Sequence, residues 1–337
     1  MFRKIKCMAL KKNFNLKTIS TIHIGGKAKY FVKCYSISAL KKVIKICEKR
    51  QMYYKIIGGG SNLLFDDNGF DGVIIKYCEK SWYIKNNFLT ASAGMEMTNL
   101  IAIAKANNLS NLENFVGIPC TLGGAIFNNL GANNIDISTL LINVQTIKVC
   151  RNTHKKLNNK KIFNLSNNST KNIIKNTKNF FNNKISIKIK KYSHKILKNS
   201  FSYRKNNFLK KNEIIIFATI KLQELNKNII QKNILKNHQK KYNSQPLDCY
   251  SAGSVFKRGQ DFLPAKIIDN MGLKGMQIGN AQISTKHAGF IINLGNATCN
   301  DTLALIDFIK QQANKNFGKI FEEEIEYVSP QRKTKTQ

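Results

Sequence analysis

Apolar positions recur along this chain at two spacings, and the change from one to the other marks its first elements. Residues 28–34 are apolar and aromatic in the manner of a strand, whereas 37–49 carry Leu40, Val43, Ile44 and Cys47 at helical spacing. A second strand over 53–57 runs straight into Gly58-Gly59-Gly60-Ser61-Asn62. Further strands are predicted at 73–76 and 88–93, and a helix at 97–107 with Leu100, Ile101 and Ala104 on one face. This alternation of strand and helix predicts an α+β or α/β opening region.

Glycines then arrive too often for a packed element. The run Gly117-Ile118-Pro119-Cys120-Thr121-Leu122-Gly123-Gly124-Ala125, followed by Asn129-Leu130-Gly131-Ala132, reads as a loop that opens a short helix. A strand is expected at 141–150. Residues 157–183 show no period and read as a mobile surface insertion, while the alternation after Ile185 suits a strand. A strand at 213–222 returns the chain to the core, and 229–241 form a basic helix stopped by Gln245-Pro246. The last segment offers a Gly-rich loop at 251–259, helices at 265–270 and 302–317, and strands at 281–284, 290–293 and 325–328, a compact α+β unit.

Composition changes this picture mainly through charge. The 337 residues carry 55 Lys+Arg against 19 Asp+Glu, a balance of +36 that by itself suggests nucleic acid, an anionic membrane or an anionic small molecule. Residues 151–200 alone hold 13 Lys, Arg151 and 12 Asn with no acidic residue. Lys, Asn and Ile have A/T-rich codons, so an even background of them follows more simply from base composition than from a binding role. That stretch has Phe163, Phe180, Phe181 and Tyr192 but no recognisable RNA-binding motif. The eight cysteines include no C-x-x-C and no clustered His partner, which argues against zinc and a disulfide framework. The N-terminal apolar run is too short and too broken by Lys for a signal segment, and no apolar run reaches about 18 residues. A reduced, soluble, cytoplasmic protein of two or three domains is expected.

Successive glycines let backbone N–H groups converge on an anion with no Cβ in the way, and Ser61 and Asn62 add side-chain donors. Taken alone, Gly58 to Asn62 is as well read as a turn, since it has neither the Lys-Ser/Thr of a P-loop nor G-x-G-x-x-G. The second run, with Gly117, Ile118, Pro119, Gly123, Gly124 and Ala125, repeats the chemistry about sixty residues later. Two such cradles point to a pyrophosphate held from both sides, as in a dinucleotide such as FAD. Ser254, in Ser251-Ala252-Gly253-Ser254-Val255-Phe256, lacks a Gly-x-Ser-x-Gly elbow and a triad, so a hydrolase is disfavoured. Arg204 and Glu324 are candidate companions of that hydroxyl; singly, each also reads as a structural charge. His287 is read as structural.

Taken in order, Ser20 to Ala28, Gly58 to Asn62, Gly117 to Ala125, Asn129 to Ala132, Ser202-Tyr203-Arg204, Gly253-Ser254-Val255-Phe256, Gly272 to Gly275, Ser284 to Phe290 and Glu324-Ile325 resemble the UDP-N-acetylenolpyruvoylglucosamine reductases, in the branch lacking an extra substrate-covering loop. The resemblance covers about residues 15–328 and implies an α+β fold: a two-subdomain FAD-binding fold of the vanillyl-alcohol-oxidase type plus a C-terminal substrate domain. The corresponding boundaries are 1–79, 80–224 with a Lys/Asn-rich insertion near 151–195, and 225–337. It implies non-covalent FAD, NADPH as co-substrate and a sugar-nucleotide substrate, in a monomer that needs neither nucleic acid nor membrane. The implied reaction sends hydride from the flavin to C3 of an enolpyruvyl ether, giving UDP-N-acetylmuramate for peptidoglycan.

Hydride at C3 leaves negative charge at C2 that spreads into the adjacent carboxylate, so such a site has to stabilise an enolate and then protonate it. By motif, Ser254 matches the proton donor to C2, and Arg204 and Glu324 match the groups that stabilise the intermediate and polarise the carboxylate. Asn129, Lys241 and Lys286 are further substrate contacts on this resemblance. The chain departs from the family pattern twice: Asn133-Asn134 replace a Tyr-Gly pair, and Ser244 occupies a position where a Lys usually contacts the substrate diphosphate, leaving Lys241 one turn earlier as its substitute. A flavin-dependent oxidase of a small alcohol or hydroxy acid is the competing reading within the same fold; such enzymes often attach FAD through a His, and His23 alone lies near a Gly-rich run. A non-enzymatic nucleic-acid binder is the competing reading from charge.

Overall fold

The computed structural model describes residues 5–152 and 186–330. The aperiodic part of the expected insertion, 157–183, lies outside the described residues.

Three hydrophobic cores organise the chain. The first sheet orders its strands β1 (Met8–Asn15), β2 (Lys27–Cys34), β5 (Phe70–Tyr77) and β3 (Tyr54–Ile57), with β2 and β3 each parallel to the central β5 and β1 antiparallel at the edge. Helix α1 (Ile37–Lys49) connects β2 to β3, capped by Ser36, which accepts from the N–H of Ala39. It buries the stripe Ala39, Leu40, Val43, Ile44 and Cys47 that its 3.6-residue period lays on one face. Strand β4 (Leu63–Phe65) follows the first Gly-rich run.

The second sheet is fully antiparallel, in the order β9 (Ser186–Lys195), β8 (Leu141–Asn152), β10 (Glu213–Lys221), β7 (Phe88–Ser92) and β6 (Trp82–Lys85). Residues 186–195 therefore belong to the sheet. They pair with β8 from Asn143↔Lys195 to Asn152↔Ser186. Helix α2 (Met97–Ala106) and the short helix α3 (Leu122–Phe127) cover it, and one core runs from Val32 and Ile75 of the first sheet to Leu89, Val144 and Ile220 of the second.

Helix α4 (Lys227–Ser244) packs along α2 and the 3-10 turn at Leu112–Phe115, with Asn237 Nδ2 donating to the carbonyl of Glu113. Beyond it the chain builds a third sheet, β11 (Tyr250–Ser254), β14 (Phe290–Asn293), β13 (Ala281–Ile283) and β12 (Gln277–Ile278), packed against α5 (Pro264–Asn270) and α6 (Cys299–Phe317). The serine segment read as a loop is thus partly a strand. A register shift between Ser251 and Ser254, with Gly253 at φ +80°, bends it enough to hide its period in the sequence.

The last strand, β15 (Glu326–Val328), leaves this unit and runs parallel to β4, so Val328 completes the small core of Leu16, Phe31, Phe65 and Ile74 under the first sheet. Asp67 reinforces the same junction. Its carboxylate accepts from the N–H of Cys299 at 2.9 and 3.0 Å and from that of Asn300 at 3.4 Å, adding a second cap to an α6 N-terminus already closed by the Thr298/Asp301 capping box.

Candidate functional site

The two Gly-rich runs fold against each other. A Cβ on Gly58 would stand 2.7 Å from Thr121 Oγ1, and one on Gly59 would stand 2.5 Å from the carbonyl of Pro119, so both positions exclude any side chain. Gly60, at φ +78°, closes on the carbonyl of Ile19. Thr121 caps α3 by accepting from Gly124 N–H, and the N–H of Gly123 is spent on the carbonyl of Ala93. Among the described residues, no backbone N–H from Gly58 to Asn62 has an acceptor. Unpaired donors on a Cβ-free ridge fit the pyrophosphate of a dinucleotide. The first run thus supplies free donors that fit the FAD pyrophosphate, whereas most N–H groups of the second run are paired within the protein, and both runs line a cleft of about 1030 Å³.

The candidate chemistry adjoins the first run in the same cleft. Ser254, Arg204 and Glu324 all line this cleft. Ser254 ends β11 opposite Phe290, and the next carbonyl, of Val255, accepts from the N–H of Glu324 at 2.7 Å, so Ser254 and Glu324 stand on adjoining backbone. Asn62 Nδ2 donates to the carbonyl of Glu324 at 2.8 Å. Its side chain thereby ties the first Gly-rich run to the acid, a partner that local sequence does not disclose.

Arg204 reaches the cleft from a hairpin, Phe201–Ser202 paired with Lys205–Asn206, in which Arg204 itself has φ +53°. Its Nε lies 2.6 Å from Glu324 Oε1, an ion pair whose N–H is not aligned on the oxygen, and Nη1 donates to the carbonyl of Asn129 at 3.3 Å. Burial pushes the Glu324 carboxyl above its usual range, against the downward pull of the Arg204 guanidinium and, more weakly, Lys257.

The remaining candidates are placed differently. Asn129 is 3% exposed and is not part of the cleft lining, its Nδ2 donating to the carbonyl of Ser202 at 3.0 Å. Lys241 is in the lining but buried, with Nζ donating to the carbonyl of Val116 at 2.9 Å. Ser244 lines the cleft as well, whereas Lys286 does not; the ammonium of Lys286 sits 4.6 Å above the Tyr242 ring. Asn133 and Asn134, at φ +50° and +63°, form the two-residue turn of the hairpin Gly131–Ala132/Ile135–Asp136, a conformation that Asn tolerates in place of Gly. The sequence reading missed Thr121, although a Thr directly before an apolar helical start is an N-cap signal, and it assigned no role to His238, which also lines the cleft.

A dinucleotide cradle sharing one cleft with a serine, an arginine and a half-buried glutamate defines a flavoprotein oxidoreductase. Residues 28–151 match the FAD binding domain, and residues 245–328 match the UDP-N-acetylenolpyruvoylglucosamine reductase, C-terminal domain. The UDP-N-acetylenolpyruvoylglucosamine reductase of Clostridium novyi (strain NT) is 30% identical over 320 residues, covering 95% of this chain and 92% of that protein. That of Anoxybacillus flavithermus is 33% identical over 321 residues, covering 95% and 94%. The crystal structure of the Thermus caldophilus enzyme superposes with a TM-score of 0.69 at 24% identity, over 95% of this chain and 98% of that one. The chain belongs to the UDP-N-acetylenolpyruvoylglucosamine reductase family, FAD-containing enzymes of peptidoglycan precursor synthesis. Among the described residues no helix is long and apolar enough to cross a membrane.

Proposed function

We propose that the chain reduces the enolpyruvyl ether of UDP-N-acetylglucosamine enolpyruvate with NADPH as electron donor, and that Ser254, Arg204 and Glu324 carry the substrate half of the reaction. The observation behind this reading is the Arg204–Glu324 pair beside Ser254 in the cleft that both Gly-rich runs line. FAD, once reduced by NADPH, supplies hydride to C3 of the ether. The residues do the rest. Arg204 presents positive charge where the C2 enolate and its carboxylate develop negative charge, and Glu324 holds the guanidinium in place. Ser254 gives its hydroxyl proton to C2; a serine is a weak acid, but carbanion-like C2 is a strong base and the cleft is partly shielded from water.

In this reading Gly58 to Asn62 and Gly117 to Ala125 hold the FAD pyrophosphate from two sides. Units 1–79, 80–224 and 225–337 divide the work, the last entering through α4, which lies on the second. Ser244 approaches the sugar nucleotide from the third unit, and the enzyme acts as a cytoplasmic monomer.

Anaerobic stopped-flow tests the assignment. In Ser254→Ala, flavin reduction by NADPH proceeds at nearly the wild-type rate, while reoxidation by the enolpyruvyl substrate slows by at least about a hundredfold. A variant that is reoxidised normally removes Ser254 from the chemistry. Oxygen consumption in the absence of sugar nucleotide would favour the oxidase reading instead.

A further inference from the structure

Lysine is rarely buried without a carboxylate, because an ammonium taken out of water needs compensation in place. Lys241 breaks that rule. It is only 9% exposed, its single hydrogen bond goes to a neutral carbonyl, that of Val116, and among the described residues no carboxylate lies within ion-pair distance of its Nζ. Nothing on its own helix explains the burial, since its neighbour Lys240 is exposed. The position in the fold does. The last turn of α4 brings Lys241 against the second Gly-rich run, with its Cδ 3.3 Å from where a Cβ of Gly117 would stand. Gly117 has φ +76°, so the loop turns tightly over the lysine stem. Two residues on, Pro119 and Cys120 touch Gly59 of the first run. The ammonium is therefore buried at the base of the dinucleotide cradle, in the lining of the cleft, with two of its three donors unassigned.

We infer that Lys241 is the buried counter-charge for the pyrophosphate of bound FAD, bridging that anion and the Val116 carbonyl so that the second Gly-rich run is set in its binding conformation. This rests on FAD occupying the cradle and differs from a role for Lys241 at the substrate diphosphate. The lowered affinity of Lys241 for its proton fits: burial brings the group down to about 8, countered in part by Cys120. The neighbouring titratable groups are Cys120 on the second Gly-rich run, Glu113 on the 3-10 turn, His238 one turn earlier on α4, and Lys240 and Tyr242 flanking Lys241 on that helix.

The test is FAD dissociation from the full-length holoprotein, followed by flavin fluorescence on dilution, for wild type, Lys241→Met and Lys241→Arg. Lys241→Met is expected to raise the Kd for FAD by about tenfold or more, the value of one charge-assisted hydrogen bond, with Lys241→Arg recovering most of the loss. In wild type the Kd is expected to rise as pH passes about 8, where the free group loses its proton, and in Lys241→Met this rise is expected to vanish. The pH arm needs no substituted chain to fold, so wild type alone tests the charge. A wild-type Kd that stays flat from below to above pH 8 overturns the proposal. So does a Lys241→Met Kd equal to wild type, whether or not the KM for the sugar nucleotide rises; a rise in KM alone assigns the ammonium to the substrate diphosphate. A wild-type chain that takes up no FAD fails at the flavoprotein reading itself.

Discussion

Glu324 is held between two opposing forces. Removal from water raises its proton affinity, and the guanidinium 2.6 Å away lowers it. Removing the cation exposes the first force. A carboxyl whose folded pKa lies above its unfolded value stabilises the fold most at low pH and loses that contribution as pH rises through the folded pKa. In Arg204→Met the thermal midpoint is expected to fall as pH rises from acid towards neutral, by the equivalent of roughly 3 kcal/mol for an uncompensated partly buried charge. Arg204→Met/Glu324→Gln is expected to abolish the slope, which differential scanning fluorimetry across pH checks. At this scale Ser254, Arg204 and Glu324 were singled out through the family motifs, and the structure brings all three to one cleft. Their supports were not legible. The carbonyl of Asn129 under Arg204 and the amide of Asn62 on Glu324 are contacts across 75 and 262 residues, and no local pattern encodes them.

Elements with a clear apolar run or stripe were readable. Helix α1 and strand β2 bury one apolar side, β14 is buried throughout, and these and β3 were expected within a few residues of where they lie. Two of the missed strands have little to bury: β1 is largely exposed and carries Lys11 and Lys12, and β6 is an outer strand with Trp82 and Tyr83 in solvent; β4, buried at all three positions, is too short to show a period. Charge on an edge strand discourages pairing with other chains, and it erases the alternation that would reveal the strand. Among the helices, α6 depends on a residue from elsewhere. Asp67→Ala leaves the Thr298/Asp301 box intact but removes acceptors from the N–H groups of Cys299 and Asn300. A loss of about 1–2 kcal/mol is expected in urea unfolding, with Asp67→Asn intermediate because it keeps an acceptor and drops the charge.

The whole molecule shows how a charge of +36 is to be understood. Among the described residues most lysines are solvated or form exposed pairs such as Lys29–Asp71 and Lys274–Asp269, which contribute little to stability. The placement of one lysine matters more than the sum. Charge was the most conspicuous feature of the sequence and the least informative about the site, because location decides what a cation does. The units also interlock: the chain leaves the first sheet, builds the second and third, and returns as β15 to lie on β4. A chain ending at Glu323 lacks that return. It is expected to elute from gel filtration without flavin absorbance and to melt well below the full chain, since Val328 is lost from the first core and the carbonyl anchor of Asn62 goes with Glu324.

That return path also sets an order of events during synthesis. The N–H of Glu326 donates to the carbonyl of Asn62, and the amide of Asn62 donates to the carbonyl of Glu324, so the first dinucleotide loop is finished by residues that follow Asn62 by 262 positions or more. Contacts of such long separation form late, because the intervening chain has to be gathered before they repay its lost freedom. A ribosome-bound chain lacking its final strand therefore exposes an incomplete cradle and an open edge at β4. Flavin capture is therefore expected only once β15 has been made, and excess FAD is not expected to rescue a product that ends before it.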